Sequence, residues 1–375
     1  MSELPGPKTR KKTAGQIEGL RPAFSTVVRT SCFLVFLACI LLLPEMITWS
    51  GLIGRHHSYE IMTENHGAYS FVADEVFRND EDIDILFLGS SVLFAGVDTP
   101  QIQQALSIEL GRPAKVVTFG HYFNSTDVMY TQFQDVLKHK KVRMLVLSIP
   151  RMPFTDGPST TGCRFIRYSD VEEVFYELPF KYKAAMYSCG ILRAPRDLLS
   201  IVRKNKGPLN ESSFAQNLGA ERAEIGVGRD PATFVRFTPA SPSISSSDMT
   251  YSSLTRDRFQ FTNNEIPFYQ NRFLEKLVEA CSREQIPLAF LNIPQYTERY
   301  STTIIERKEW TRLFGSDVSL VGVPPSTLFA GLSEEEIGLL RFDDAHFNSN
   351  GSEFFTRTVL PAILEVYKTH AANDQ

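Results

Sequence analysis

Between residues 83 and 149 three short apolar runs alternate with two helical patterns, and this rhythm constrains the fold more than any other feature. Ile83–Leu88, Lys115–Phe119 and Val142–Ile149 read as strands. Their apolar residues are nearly continuous rather than alternating, as expected when both faces of a parallel sheet are covered. Thr99-Pro100 opens a helix to about Leu110, with threonine as N-cap and proline at its first position. Ser125–Lys138 is the second helix, with Val128, Phe133 and Leu137 on its apolar face. The alternation resumes after a long interruption. A helix at Pro267–Glu284, a strand at Pro287–Ile293, a helix near 302–313, a short strand at Val318–Val321 and a last helix at Ser352–Lys368 complete it. The order βαβαβ, insertion, αβαβα predicts one α/β domain, a three-layer doubly wound parallel sheet.

The interruption, residues 151–264, contains helical stretches near 170–180 and 193–203. A Ser/Thr/Pro-rich passage from Thr238 to Thr255 suits a surface loop. Ahead of the domain the chain divides into a basic tail (1–30), a membrane-crossing signal anchor (31–49) and a stalk (50–80), leaving 81–370 for the domain itself. The tail holds Lys8, Arg10, Lys11, Lys12, Arg21 and Arg29 against Glu3 and Glu18. Ser31–Leu43 is an unbroken apolar and small-residue run. Extended through Trp49 as a helix it reaches about 28 Å, close to the roughly 30 Å hydrocarbon core. Basic residues before the run place the tail in the cytoplasm and the domain outside. A cleaved leader, or one lipidated at Phe36-Leu37-Ala38-Cys39, and a buried core helix are the competing readings. No Ala-x-Ala-like site follows the run.

The chain is 43% hydrophobic and 22% charged, ample for a sizeable core, and its net charge of -4 argues against nucleic acid as a partner. Cys32 and Cys39 fall within the apolar run. Of the others, Cys163 and Cys189 could pair in an oxidising compartment, with Cys281 buried in a helix, or all three could be free thiols. No Cys/His spacing resembles a zinc site, and neither a metal nor an organic cofactor is implied.

Two segments carry candidate chemistry. Gly89-Ser90-Ser91 ends the first strand, where a doubly wound sheet gathers its ligands. Asp343-Asp344-Ala345-His346 precedes the last helix, and Asp343 is placed to orient His346. A hydroxyl, an imidazole and a carboxylate are the groups that nucleophilic acyl transfer needs. Each motif alone is also ordinary turn chemistry.

On these residues the chain resembles the SGNH (GDSL-like) hydrolase superfamily, over roughly 81–150 and 267–370. In that family a Gly-Asp-Ser-like turn carries the nucleophile and Asp-x-x-His the other two groups. The resemblance implies Ser91, with serine replacing the middle aspartate, as nucleophile, His346 as general base and acid, and Asp343 as the orienting carboxylate. Phe347, Asn348 and Gly351 match the usual continuation. Oxyanion contacts would come from Ser91 and from Gly120 after the second strand, or from Asn124. After the third strand the family's asparagine is missing from Ser148-Ile149-Pro150-Arg151.

Gly-Ser-Ser with a single anchor is most similar to the envelope-modifying branch, which includes the teichoic acid D-alanylation factor and the alginate O-acetyltransferases. The resemblance implies a serine O-acyl esterase or O-acyltransferase acting on an envelope polysaccharide or glycolipid through a seryl ester. Its partners would be an acylated glycan or lipid-linked substrate and a membrane-embedded acyl-donor protein. The alternative is a catalytically silent member that binds glycans or scaffolds an envelope assembly complex.

Overall fold

The computed structural model describes residues 26–62, 69–121, 125–148, 156–158, 162, 177–204, 267–302, 319–341 and 343–371. Five parallel strands, β1 (Ile85–Ser90), β2 (Val116–His121), β3 (Leu145–Ser148), β4 (Leu288–Leu291) and β5 (Ser319–Val321), form one sheet. Their order is β2-β1-β3-β4-β5. The chain therefore reverses its direction of travel across the sheet between β1 and β3, which creates a switch point at the carboxyl end of β1.

Side chains alternate across the strands into two cores. Leu86, Leu88, Val117, Phe119, Leu145, Leu147, Leu288 and Phe290 face one layer. It contains α2 (Arg55–Met62), α3 (Tyr69–Phe77), α6 (Thr126–His139), α7 (Phe180–Cys189) and α9 (Phe268–Arg283). Ile85, Phe87, Val116, Val146, Ala289, Leu291 and Val321 face the other. That layer is built from α4 (Ser91–Gly96), α5 (Thr99–Leu110), α10 (Pro325–Leu328), α11 (Glu334–Leu339) and α12 (Ser349–Ala371). Burial on both faces is why the strands lack polar alternation. Each fully buried Leu, Ile or Phe contributes about 1.5–3 kcal/mol.

The boundaries differ from the sequence expectation at places that matter. β1 starts two residues later than expected, because Ile83 makes only an isolated bridge to Val142, and ends two later; β2 starts one residue later and ends two later. Gly120 thus lies inside a strand rather than in the turn after it. Asp98, not Thr99, caps α5: its carboxylate accepts from the Gln101 amide at 3.1 Å, while the Thr99 hydroxyl pairs with Thr118 at 2.7 Å. α12 begins three residues earlier than Ser352. The short helices α10 and α11 were not expected at all.

The described residues of 50–80 do not form a stalk. Tyr59 on α2 and Tyr69, Val72 and Val76 on α3 are buried in the first core. Arg55 pairs with Asp135 of α6 at 2.8 Å, and the Tyr59 hydroxyl donates to the same carboxylate at 2.5 Å. Two turns after the apolar helix, the chain is already part of the domain.

That apolar helix, α1, runs from Val27 to Trp49, with Thr26 as N-cap. Its 23 residues extend about 34 Å. Val27–Ile47 has a mean hydropathy of 2.3 and is only 6% buried, so α1 is long and apolar enough to cross a membrane and is not packed as a core helix. α8 (Ala194–Lys204) lies in the expected insertion and packs on the end of α1. Cys189 is disulfide-bonded and Cys281 is a buried free thiol. Cys163, the Thr238–Thr255 passage and nearly all of the expected 302–313 helix lie outside the described residues.

Candidate active site

The sequence Gly89-Ser90-Ser91 divides its labour residue by residue. A Cβ at Gly89 would collide with the Ser148 hydroxyl on β3 and with Leu93, so only glycine lets α4 fold this closely over the strand end. Ser90 is extended (φ -88°, ψ -172°) and caps α4, its Oγ accepting loosely from the Val92 amide at 3.4 Å. The Ser90 hydroxyl is therefore engaged with backbone. Ser91, the first helical residue, is half-buried and turns its Oγ the other way, to 2.8 Å from His346 Nε2.

The loop that presents His346 is fixed from several sides. Asn348 donates from its side chain to the carbonyls of Leu339 (2.7 Å) and Arg341 (3.2 Å), and its Oδ1 accepts from Gly351 in the first turn of α12. A Cβ at Gly351 would meet the Leu340 carbonyl and the Phe347 ring, which explains the glycine. Arg341 is fully buried. It donates to the Pro294 carbonyl at 2.9 Å and lies 3.8 Å from the Phe347 ring centroid, a cation–π contact. The Tyr296 amide donates to the Asp344 carbonyl at 2.9 Å. Packing of α12 against α4 then brings this loop to the end of β1.

Asp343 holds the imidazole. Both carboxylate oxygens lie 2.8 Å from His346 Nδ1, and Oδ1 also accepts from the backbone amides of Ala345 (2.8 Å) and His346 (2.7 Å). Burial alone would raise the Asp343 pKa. The hydrogen bond and charge of His346, with the two backbone N–H groups, outweigh it and keep the carboxyl below its ordinary value. Asp344 goes the other way, pushed up by burial and by the neighbouring Asp343 charge. Asp343 so fixed makes Nδ1 the protonated nitrogen and leaves Nε2 as acceptor toward Ser91. The arrangement can take a proton from the serine hydroxyl and return it to a leaving group.

Of the expected site residues, Ser91, His346 and Asp343 meet in one hydrogen-bonded chain. Gly120 stands at the end of β2, paired in register with Gly89. It has a packing reason of its own, because a Cβ there would lie 2.9 Å from the Phe94 backbone nitrogen. Asn124 and Arg151 lie outside the described residues. Arg341, Asn348 and the Tyr296 amide hold the site and were not picked out in the sequence as doing so. An arginine between apolar residues two positions before an Asp-x-x-His was the available signal for the first. Among the described residues no group of three or more His, Cys, Asp or Glu side chains could hold a metal ion. Compared with protein-family models, curated proteins and solved structures, the chain matches none.

Proposed function

We propose that the chain is a membrane-anchored serine O-acyl esterase or O-acyltransferase of SGNH type. The observation that carries this is the Ser91–His346–Asp343 chain, 2.8 Å at each link, at the switch point of the sheet. Ser91 Oγ attacks the acyl carbonyl while His346 Nε2 accepts its proton. The tetrahedral oxyanion is met by the backbone N–H groups of Ser91 and Gly120, with Asn124 as a further donor. His346 then protonates the departing alcohol, leaving a seryl ester. In the second half His346 deprotonates water, giving an esterase, or a sugar hydroxyl, giving a transferase, and Ser91 recovers its proton as the ester breaks.

The anchor supports a substrate at the outer face of the cytoplasmic membrane, with the N-terminus inside. An envelope polysaccharide or glycolipid bearing O-acyl groups is the fitting class, and a membrane-embedded protein would supply the acyl group. Fluorophosphonate labelling of the full chain in membranes tests the reading. Labelling lost in Ser91→Ala and His346→Ala but kept in Ser90→Ala is the expected result. A folded wild-type protein that takes no label would overturn it in favour of a silent glycan-binding scaffold.

A further inference from the structure

The segment Ile191–Lys204, a single 3-10 turn followed by α8, is apolar on two faces. Ala194 and Ile201 are buried in a small cluster with Ile47, at the end of α1, and Ile53 just beyond it; Leu198 packs at its edge. On a second face Leu192, Leu199 and Val202 are 44%, 57% and 49% exposed. Leu199 and Val202, three residues apart, share one side of α8, and Leu192 stands in the 3-10 turn that leads into it. Leu52, in the loop that leaves α1, is 59% exposed as well. Arg196 and Arg203, both exposed, follow Leu192 and Leu199 by four positions and border the same stripe. Water is a poor solvent for such a face, and a set of apolar residues flanked by arginines suits a lipid–water boundary.

Position decides the occupant. α1 is about 34 Å long, so if it crosses a bilayer its last turn, near Ile47, stands at the headgroup level. α8 is packed against that turn and therefore stands at the same level. The exposed stripe is continuous with the end of the apolar α1, and its arginines complement lipid phosphates.

We propose that Ile191–Lys204 is a membrane-surface helix. Leu192, Leu199 and Val202 enter the acyl boundary of the leaflet from which α1 emerges, and Arg196 and Arg203 contact anionic phospholipid headgroups. This holds the domain at a fixed height on the bilayer instead of letting it swing from a tether. The inference rests on the membrane-anchored reading of α1 and is independent of the chemistry at Ser91.

The test is fluorescence of the full chain in vesicles of phosphatidylcholine with or without phosphatidylglycerol. An environment-sensitive nitrobenzoxadiazole label is placed at Leu199→Cys or Val202→Cys in a Cys32→Ser, Cys39→Ser background. Ile108→Cys, an exposed apolar position on α5, is the control, and circular dichroism checks each fold. Cys39 itself, labelled in Cys32→Ser, reports on α1. Nitroxide lipids carrying the spin near the headgroup should quench positions 199 and 202 and leave 108 unquenched, while a deep nitroxide quenches position 39. Quenching at 199 should be greater in the anionic vesicles, and Arg196→Gln with Arg203→Gln should remove that difference. Quenching at 39 without quenching at 199 and 202 overturns the surface helix and leaves the anchor standing. Failure at 39 overturns the anchor and the inference with it. A blue-shifted but unquenched label at 199 also overturns it, since the face is then covered by protein. Equal quenching in both vesicles overturns the role given to the arginines.

Discussion

Two aspartates at opposite ends of the strands have pKa values shifted in the same direction for different reasons. Asp84 sits at the amino end of β1. Its carboxylate takes Arg112 in a two-pronged ion pair, 2.6 and 3.0 Å, with Arg143 at 3.4 Å, the Lys115 amide at 2.8 Å and the Tyr367 hydroxyl at 3.1 Å. Burial opposes ionisation there, and these partners outweigh it. Tyr367 in turn is pushed up to about 12 by burial and the Asp84 charge. Asp343, beyond the carboxyl ends, has two backbone amides and one imidazole, and no arginine or lysine is paired with it among the described contacts. A carboxylate neutralised by fixed cations ties elements together. One left facing an imidazole can stabilise a charge that appears only when that imidazole takes a proton. The direction of a pKa shift does not separate the two; the identity of the partners does.

Substitutions break the comparison in order of effect. Ser91→Ala removes the nucleophile, and under the proposed mechanism turnover falls by about 10⁶, as in other serine enzymes. Labelling vanishes while thermal unfolding stays where it was, because the half-exposed hydroxyl anchors no core. Asp343→Asn should cost about 10⁴ in kcat through the wrong imidazole tautomer. Thermal unfolding should move little, since the Asp343 side chain is 40% exposed. If Asp343→Asn instead unfolds the chain and leaves the folded fraction fully active, Asp343 belongs with Asp84.

Arg341→Met probes the support between the two. It removes the charge-assisted bond to the Pro294 carbonyl and the contact with Phe347. Looser placement of His346 should lower kcat by about 10². The KM should hold, because Arg341 is fully buried and acts on the site through the loop it supports. A rise in KM at constant kcat would place Arg341 in binding rather than in positioning.

The architecture was legible because burial on both faces writes itself into composition. The strands at 83–88, 115–119 and 142–149 could be found from apolar residues alone, although β1 and β2 run two residues further toward the site than expected. The slips have one cause. Gly89, Ser90 and Gly120 look like turn residues, yet they continue the ladder, and the two glycines leave the room that α4 needs where it crosses β1 and β2. The stalk misled for the opposite reason. Polar and aromatic residues in 50–80 gave no clear helical stripe, but Arg55 and Tyr59 find their partner on Asp135, eighty residues away. Ser91, Asp343 and His346 were visible as motifs. Arg341 was not, because its role depends on a carbonyl at Pro294 and on ring packing that only the folded chain creates.

Asp84→Asn is the complement of Asp343→Asn, with the smallest effect on catalysis. The variant takes from Arg112 and Arg143 the negative charge they share and one of its two acceptor oxygens. Both are partly exposed, at 44% and 56%, so water recovers part of what they lose. The cost should be about 2 kcal/mol, in the range of hydrogen bonds to a charged group. Activity per folded molecule should be unchanged. The pH dependence follows from the sign of the shift. A carboxyl with a lowered folded pKa contributes its stability fully above its unfolded value, about 3.9, and loses it as pH falls through the lower folded value. Wild type should therefore lose stability steadily below about pH 4, and Asp84→Asn should flatten that slope in chemical denaturation. Asp343 is lowered as well, but with its greater solvent contact its asparagine variant should flatten the slope less. An equal flattening in both variants would mean that the two carboxylates hold the fold alike, and the contrast between a structural and a reactive aspartate would fail.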